Sequence, residues 1–424
     1  MKFESLKEKV VFYNISIVLF SLIPLFLITG PFLSDLAISL ISILFLIYCI
    51  RKKNFSYFKN KYFYFFLIFW VYLIFNSLIN NFNFDSIKIS FFYFRYGVFV
   101  IAIVALLDVN NNFIKYFFYC MFICFLILIF DGYYQYFAGE NIFGWKKTHR
   151  ISSFFGDEYI LGSYLSRLWP VFFGLSILIF KQKEKLFYLL ILTFILTEAL
   201  IFISGDRSAF FYVNLSAIFV ILFSKKLFKL RLVTLLSSIL LLIIISLINP
   251  AAKERVFDQT LDQMNLVKND EKKQQVYIFT QHHHEIYIAA YKIFLDNKIL
   301  GVGVKNFRKF CNNEKYFVNG KKICSTHPHN SYIQILTETG LIGFLFLLLA
   351  LFYFCKFIFI HLKEKFSGKY YFSDFEICIL SGIVIYLWPI VPTGSVFNNW
   401  TNIALILNFP FLMWSKSYTK TNNF

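Results

Sequence analysis

A chain of 424 residues that is 58% apolar, with 59 Phe and 27 Tyr and a mean hydropathy of +0.63, is too apolar to be a soluble domain. Its formal charge of +18 comes from 42 Lys and Arg against 24 Asp and Glu. The basic residues gather in short loops between apolar runs, where they orient helices, so the charge does not point to nucleic acid.

Taken in order, apolar segments run at about 10–29, 31–50, 62–80, 88–107, 114–131, 159–180, 186–205, 208–224, 232–249, 331–360, 374–391 and 400–415. Each is close to the length that crosses a bilayer. The expectation is an all-α polytopic membrane protein with about twelve transmembrane helices. Its parts are spans one to nine over 1–248, a large, partly helical periplasmic loop over 249–330, and spans ten to twelve over 331–424. The first apolar run follows lysines, as a signal peptide would, but lacks a small-residue cleavage site, which makes it an uncleaved span. Twenty-one basic residues fall on one side of these spans, among them Lys2, Arg51, Lys52, Lys181, Lys183, Lys225, Arg231, Lys363 and Lys416. The short loops of the other side hold Lys88, Lys146, Lys147, Arg150 and Arg207. The first side is therefore cytoplasmic, both termini included, and the long loop lies outside.

Five cysteines, Cys49, Cys120, Cys124, Cys355 and Cys378, lie in or at the ends of apolar segments and act as small hydrophobes. Cys311 and Cys324 differ, because both lie in the outside loop with twelve residues between them. An oxidising compartment would join them in a small ring that ends three residues before His327; the alternative is two free thiols.

Within the same loop, Ile286, Ala289, Ala290, Ile293 and Phe294 have helical spacing, which predicts an amphipathic helix over the outer face, ended by Asn297, Gly301 and Gly303. His282, His283, His284 and Glu285 precede it, but consecutive residues of a helix point in different directions, so no metal is expected there. The loop closes on "THPHNSYIQILTETG", residues 326–340. Pro328 forces the preceding residue out of α geometry, Asn330 or Ser331 would cap the next helix, and Ser331 with Gln334 has capping-box spacing. His329 then sits just outside a helix N-terminus, an end that favours anions, beside a group that exchanges protons near neutral pH. Taken alone, the motif reads more readily as a capped helix with histidines facing solvent.

Ionisable groups at membrane depth are costly, so Arg95, Arg167 and Arg207 each face a polar cavity or a partner. Arg207 follows Gly205 and Asp206 at an outer turn, and a local pair with Asp206 is the alternative to a ligand. For Arg95 and Arg167 the alternative is a carboxylate such as Glu198 or Asp131, or snorkelling to the interface.

The "GVG" turn before Asn306 and Phe307, the loop cysteines, "CSTHPHNSYIQILTETGLIGF" entering a late span, and "SGDRSAF" earlier together resemble the O-antigen ligase and polymerase family. The likeness is most specific from His283 to Phe344. It implies a metal-independent, inverting glycosyltransferase of the bacterial inner membrane that needs no cofactor and whose site faces the periplasm. The implied donor is a glycan on undecaprenyl diphosphate, and the implied acceptor is the lipid A core. His329 matches the family's catalytic base, with His327 in reserve, and Arg207 matches the arginine that neutralises the diphosphate. Arg95, Arg150, Arg167 and the helix start at Asn330 are further diphosphate contacts in this reading. Many members carry an arginine four residues ahead of an aromatic in the loop helix; here His283 stands ahead of Tyr287, so the second cationic contact is that histidine or is missing. Glu338 would orient a polar partner, or simply supply interfacial polarity.

The residues suit the chemistry. Cleavage of a glycosyl diphosphate leaves charge on phosphate that arginines and a helix N-terminus stabilise, while an acceptor hydroxyl needs a base that titrates near neutrality. Polymerisation of repeat units and transfer to protein hydroxyls use the same chemistry and stay open. A lipid-linked glycan transporter is the reading outside the enzymes, although the polar groups concentrate in one loop and not between repeat halves at a midplane.

Overall fold

A computed structural model describes residues 3–80, 84–180, 185–248, 253–264, 266 and 276–421. Lys2, Lys181 and Lys183, used above for orientation, lie outside these residues, as do positions 249–252, 265 and 267–275 of the long loop. The described chain is all-helical, with two isolated bridges and no strand.

All twelve apolar segments are helical where described, because a backbone in hydrocarbon must satisfy its polar groups within its own segment. The order is Phe3–Ser21, Ile23–Ile28, Pro31–Lys52, Lys61–Ile79, Phe84–Phe92, Phe94–Val109, Ile114–Ala138, Leu161–Ile179, Lys185–Ile203, Arg207–Phe223 and Phe228–Ile248, then Ser331–Phe366, Asp374–Leu387, Asn399–Ile406 and Asn408–Thr421. Among the described residues, eight helices or joined helix pairs are long and apolar enough to cross a membrane. Others are shortened at recognisable breaks. Pro24 enters the first turn of Ile23–Ile28, and Trp388 leaves helical geometry (ψ 123°) immediately before Pro389.

Leu161–Ile179 lies at the centre and packs against Ile114–Ala138, Lys185–Ile203, Arg207–Phe223 and Asp374–Leu387. Aromatic rings fill the contacts: Phe172 lies 4.5 Å from Phe125 and 5.2 Å from Phe194, centroid to centroid. Arg231, which the charge pattern assigns to a cytoplasmic loop, is instead fully buried, 2.6 Å from Glu198 and over the ring of Trp169. At the periphery, Leu247, Phe352 and Phe359 are largely exposed, an apolar surface suited to lipid.

One irregularity positions the site. The Ser331–Phe366 helix is interrupted at Gly340, whose φ of 66° lies in the left-handed region. The turn that follows the loop helix Gln281–Asp296 fills the interruption. Val302 N donates to Thr337 O (3.1 Å), Gly303 N to Glu338 O (2.8 Å), and Leu341 N to Lys298 O (2.9 Å). Gly301 (φ 68°) leans so close that a Cβ there would lie 2.6 Å from the Glu338 carbonyl carbon. The backbone groups that the break would orphan are thus satisfied by the loop. Ile286, Ala289, Ala290, Ile293 and Phe294 of the loop helix are all buried, and Thr337 Oγ1 donates to Ala290 O at 3.2 Å. The long loop is clasped to the Ser331–Phe366 helix by main-chain bonds.

Candidate functional site

Asn330 is the helix cap, its Oδ1 accepting from Tyr332 N (3.0 Å) and Ile333 N (3.2 Å), while its Nδ2 donates to Pro389 O. Both ends of this side chain are engaged in structure. Ser331 is the first helical residue, and the capping box expected with Gln334 does not form. Gln334 Nε2 instead donates to Glu338 Oε2 (3.0 Å) and Ser395 Oγ (2.9 Å). Glu338, fully buried, accepts Phe307 N at 3.2 Å and so ties the loop to the helix.

The cap fixes His329. Its φ of 57° is unusual for a side-chain-bearing residue and is held because its carbonyl accepts Thr393 N at 2.7 Å. Its Nε2 lies 2.9 Å from Ser325 Oγ. Cys311 and Cys324 form a disulfide (Cα–Cα 5.2 Å) that ends one residue before Ser325. Three imidazoles meet here: His327 lies 4.1 Å from the His329 ring and His283 lies 5.5 Å from it. His327 Nε2 is 3.3 Å from Thr393 O, and His283 Nδ1 is 2.6 Å from Thr280 Oγ1. They form a cluster that does not face solvent freely. Burial, and then the neighbouring His329, lower His283 and His327 to about 4. Burial, and then His282, lower His329. All three are therefore uncharged near neutral pH.

A cationic cluster adjoins them. Arg207 begins its helix, with Asp206 as cap through Ala209 N (3.1 Å). Asp206 does not pair with Arg207. It lies 3.3 Å from Arg150 and accepts from Ser163 Oγ. Arg207 donates to Arg255 O (2.9 Å), Gln263 Oε1 (2.7 Å) and Gln259 Oε1 (3.3 Å). Arg150 and Arg255 both crowd Gly205, where a Cβ would lie 3.3 Å from Arg255 Cδ and 3.5 Å from Arg150 Cγ. The Nε atoms of Arg150 and Arg255 are buried without a hydrogen-bond partner among the described residues. Of the three guanidiniums, Arg150 pairs with Asp206, Arg255 feels its charge, and Arg207 has neutral acceptors. Arg207 also contributes to holding His283 uncharged, after burial and the neighbouring histidines, so the two clusters form one site.

Arg95 stands apart from these, whereas Arg167 lies within electrostatic reach of Asp206. Arg95 pairs with Asp35 at 2.8 Å and lines a different cavity. Arg167 is buried between the rings of Tyr212 (5.0 Å) and Tyr386 (4.6 Å). Neither uses the carboxylates considered above: Glu198 pairs with Arg231, and Asp131 accepts from Ser153 Oγ (2.5 Å) and Ile142 N (3.0 Å). Arg255 is the residue that sequence reasoning missed. It stands in a short stretch after the ninth apolar segment, with no motif around it, and only folding carries it to Gly205. Among the described residues no three His, Cys, Asp or Glu side chains gather as a metal would require.

A family model described as O-antigen ligase matches residues 189–348. Over that stretch the chain is similar to the O-antigen ligase family. The O-antigen ligase segment contains Arg207, Arg255, His283, the disulfide, His327, His329 and the Gly340 break, while Arg95, Arg150 and Arg167 precede it. No curated protein matches the chain. The match to the O-antigen ligase model, together with the apolar helices, supports a multi-pass membrane protein similar to glycosyltransferases of the O-antigen ligase and polymerase type.

Proposed function

We propose that the protein transfers a glycan from undecaprenyl diphosphate to a hydroxyl of the lipid A core at the periplasmic face of the inner membrane, with inversion and without a metal. The observation that carries this reading is an uncharged, half-buried His329 packed against His283, which in turn lies within electrostatic reach of Arg207 in the guanidinium cluster. We assign the Nε2 proton of His329 to the 2.9 Å contact with Ser325 Oγ, a tautomer that leaves Nδ1, which has no hydrogen-bond partner among the described residues, as the basic nitrogen. The acceptor oxygen attacks the anomeric carbon as its proton passes to His329 Nδ1. The bond from that carbon to the diphosphate oxygen breaks, and its electron pair leaves on the diphosphate. Arg207, Arg255 and Arg150 stabilise that charge where it develops. Arg255 takes the place of the loop-helix arginine for which this chain has His283. His327 supports His329 through ring contact, and the two termini lie in the cytoplasm in this reading, with twelve spans between them.

The test is transfer in membranes from a synthetic undecaprenyl diphosphate glycan to lipid A core. His329→Ala and Arg207→Ala, inserted at native levels, are expected to abolish product. Full activity of His329→Ala would remove it as the base. Deletion of the gene is expected to leave lipid A core uncapped; capping by a single repeat would indicate a polymerase instead, and loss of glycan from protein a protein transferase.

A further inference from the structure

A second cavity, of about 440 Å³, opens beside the histidine loop where the start of Pro31–Lys52, the Phe84–Phe92 helix and the Phe307–Phe310 turn converge. Lys88, Arg95, Lys305, Arg308 and Lys309 line it, against Asp35 and Asp85, an excess of three positive charges. Asp35 is already engaged with Arg95. Lys305 is half-buried, holds a left-handed φ of 57°, and makes no ion pair among the described residues. Burial and then Arg308 lower its pKa, against the pull of Glu338. Cations gathered in a partly desolvated pocket repel one another until an anion neutralises them.

The other walls indicate what form that anion takes. Tyr93, Tyr96, Asn399 and Asn402 make one wall polar through a network in which Tyr93 donates to Asn402 and Tyr96 to Asn399, a surface compatible with a phosphorylated sugar. Phe92, also in the lining, is 46% exposed, and Phe84 and Phe91 of the same helix are exposed beside it, so the mouth opens on an apolar surface. The cavity is distinct from the Arg207 cluster, none of whose arginines lines it. It is nonetheless coupled to the histidines through the chain, because the Arg308 carbonyl lies 3.8 Å from Cys324 Sγ and the next residue, Ser325, holds His329.

We propose that this cavity binds the phosphate-bearing headgroup of a membrane-anchored glycan acceptor, while the Arg207 cluster holds the donor diphosphate. The assignment of the ligand as acceptor rests on the transferase reading above; the anion site itself does not. Lys305 and Arg308 are its central contacts, with Arg95 held in place by Asp35. Two cationic sites that adjoin one histidine cluster, Arg308 and Lys305 near His327 and Arg207 near His283, would set donor and acceptor in register.

The full chain in phosphatidylcholine nanodiscs would be titrated with short-chain phosphatidic acid and, separately, with inorganic phosphate. Phosphatidic acid is expected to bind, and the double variant Lys305→Gln with Arg308→Gln to weaken it at least about tenfold, a loss of about 1.4 kcal/mol. Arg308→Lys, which keeps the charge, is expected to bind nearly as well, which separates lost contact from misfolding. Unchanged affinity in the double variant would overturn the site, and equal competition by inorganic phosphate would overturn the membrane-anchored ligand. In the transfer assay the double variant is expected to raise KM for the acceptor and leave KM for the donor unchanged; the reverse would assign the cavity to the donor and overturn the proposal. Absence of any transfer by the native protein would defeat the transferase reading, while the nanodisc titration would still decide whether the site exists.

Discussion

Asp206 pairs with Arg150 at 3.3 Å and leaves Arg207, its neighbour in the chain, to the carbonyl of Arg255 and the amides of Gln259 and Gln263. Neutral acceptors orient a guanidinium without cancelling its charge, so Arg207 keeps its full attraction for an anion. A direct pair with Asp206 would have consumed it.

The first prediction concerns that uncancelled charge. Arg207→Gln is expected to lower the transfer rate by about 10²–10³, the range for losing one group that stabilises developing charge. Arg255→Gln, which keeps the carbonyl that Arg207 uses, is expected to lower it less and to raise KM for the donor. Steady-state kinetics in proteoliposomes would check both. Native donor kinetics in Arg255→Gln would place Arg255 outside the site.

The pH profile follows from burial of the histidines. Desolvation lowers His329, so it stays neutral as the pH falls through about 6.5, the ordinary imidazole value. The acidic limb of the transfer rate is therefore expected below that value; a limb at or above it would contradict the desolvated base. Stability of the loop has the same sign. Between about 6.5 and 4 the unfolded loop binds protons that His283 and His327 do not, so protection is present above that window and is lost as pH falls through it. Hydrogen exchange of the loop amides at several pH values reads this directly.

The disulfide holds the segment that carries Ser325. With a sequence separation of 13, its loop-closure contribution is about 3 kcal/mol. Cys311→Ser with Cys324→Ser is expected to insert normally, lose activity through disorder at His329, and expose the loop to protease. Retention of both full activity and protease resistance would show that the main-chain clasp at Gly340 suffices.

That clasp can be tested by itself. Gly340→Ala places a Cβ against the Ile299 carbonyl and requires φ of 66° from a residue that resists it. The expected result is loss of the loop's docking, seen as protease sensitivity between residues 276 and 330 and loss of activity, with the membrane helices still inserted. An active, resistant Gly340→Ala protein would show that the helix runs straight through.

By itself, the sequence determined the class of the protein and indicated where its proposed chemistry would lie. Long apolar runs admit little but helices in lipid, and the histidine loop with its family pattern pointed to a site at the start of Ser331–Phe366. Helix ends were legible wherever a proline or a polar cap marked them. What the sequence did not disclose was pairing. Which arginine Asp206 serves, why Arg231 is buried, that Arg95 belongs to another cavity, and that Arg255 adjoins the cluster all depend on side chains brought together from distant segments. No local propensity encodes those distances. Only the packed helices and the loop fitted into the Gly340 break decided which charges are cancelled and which remain for a ligand.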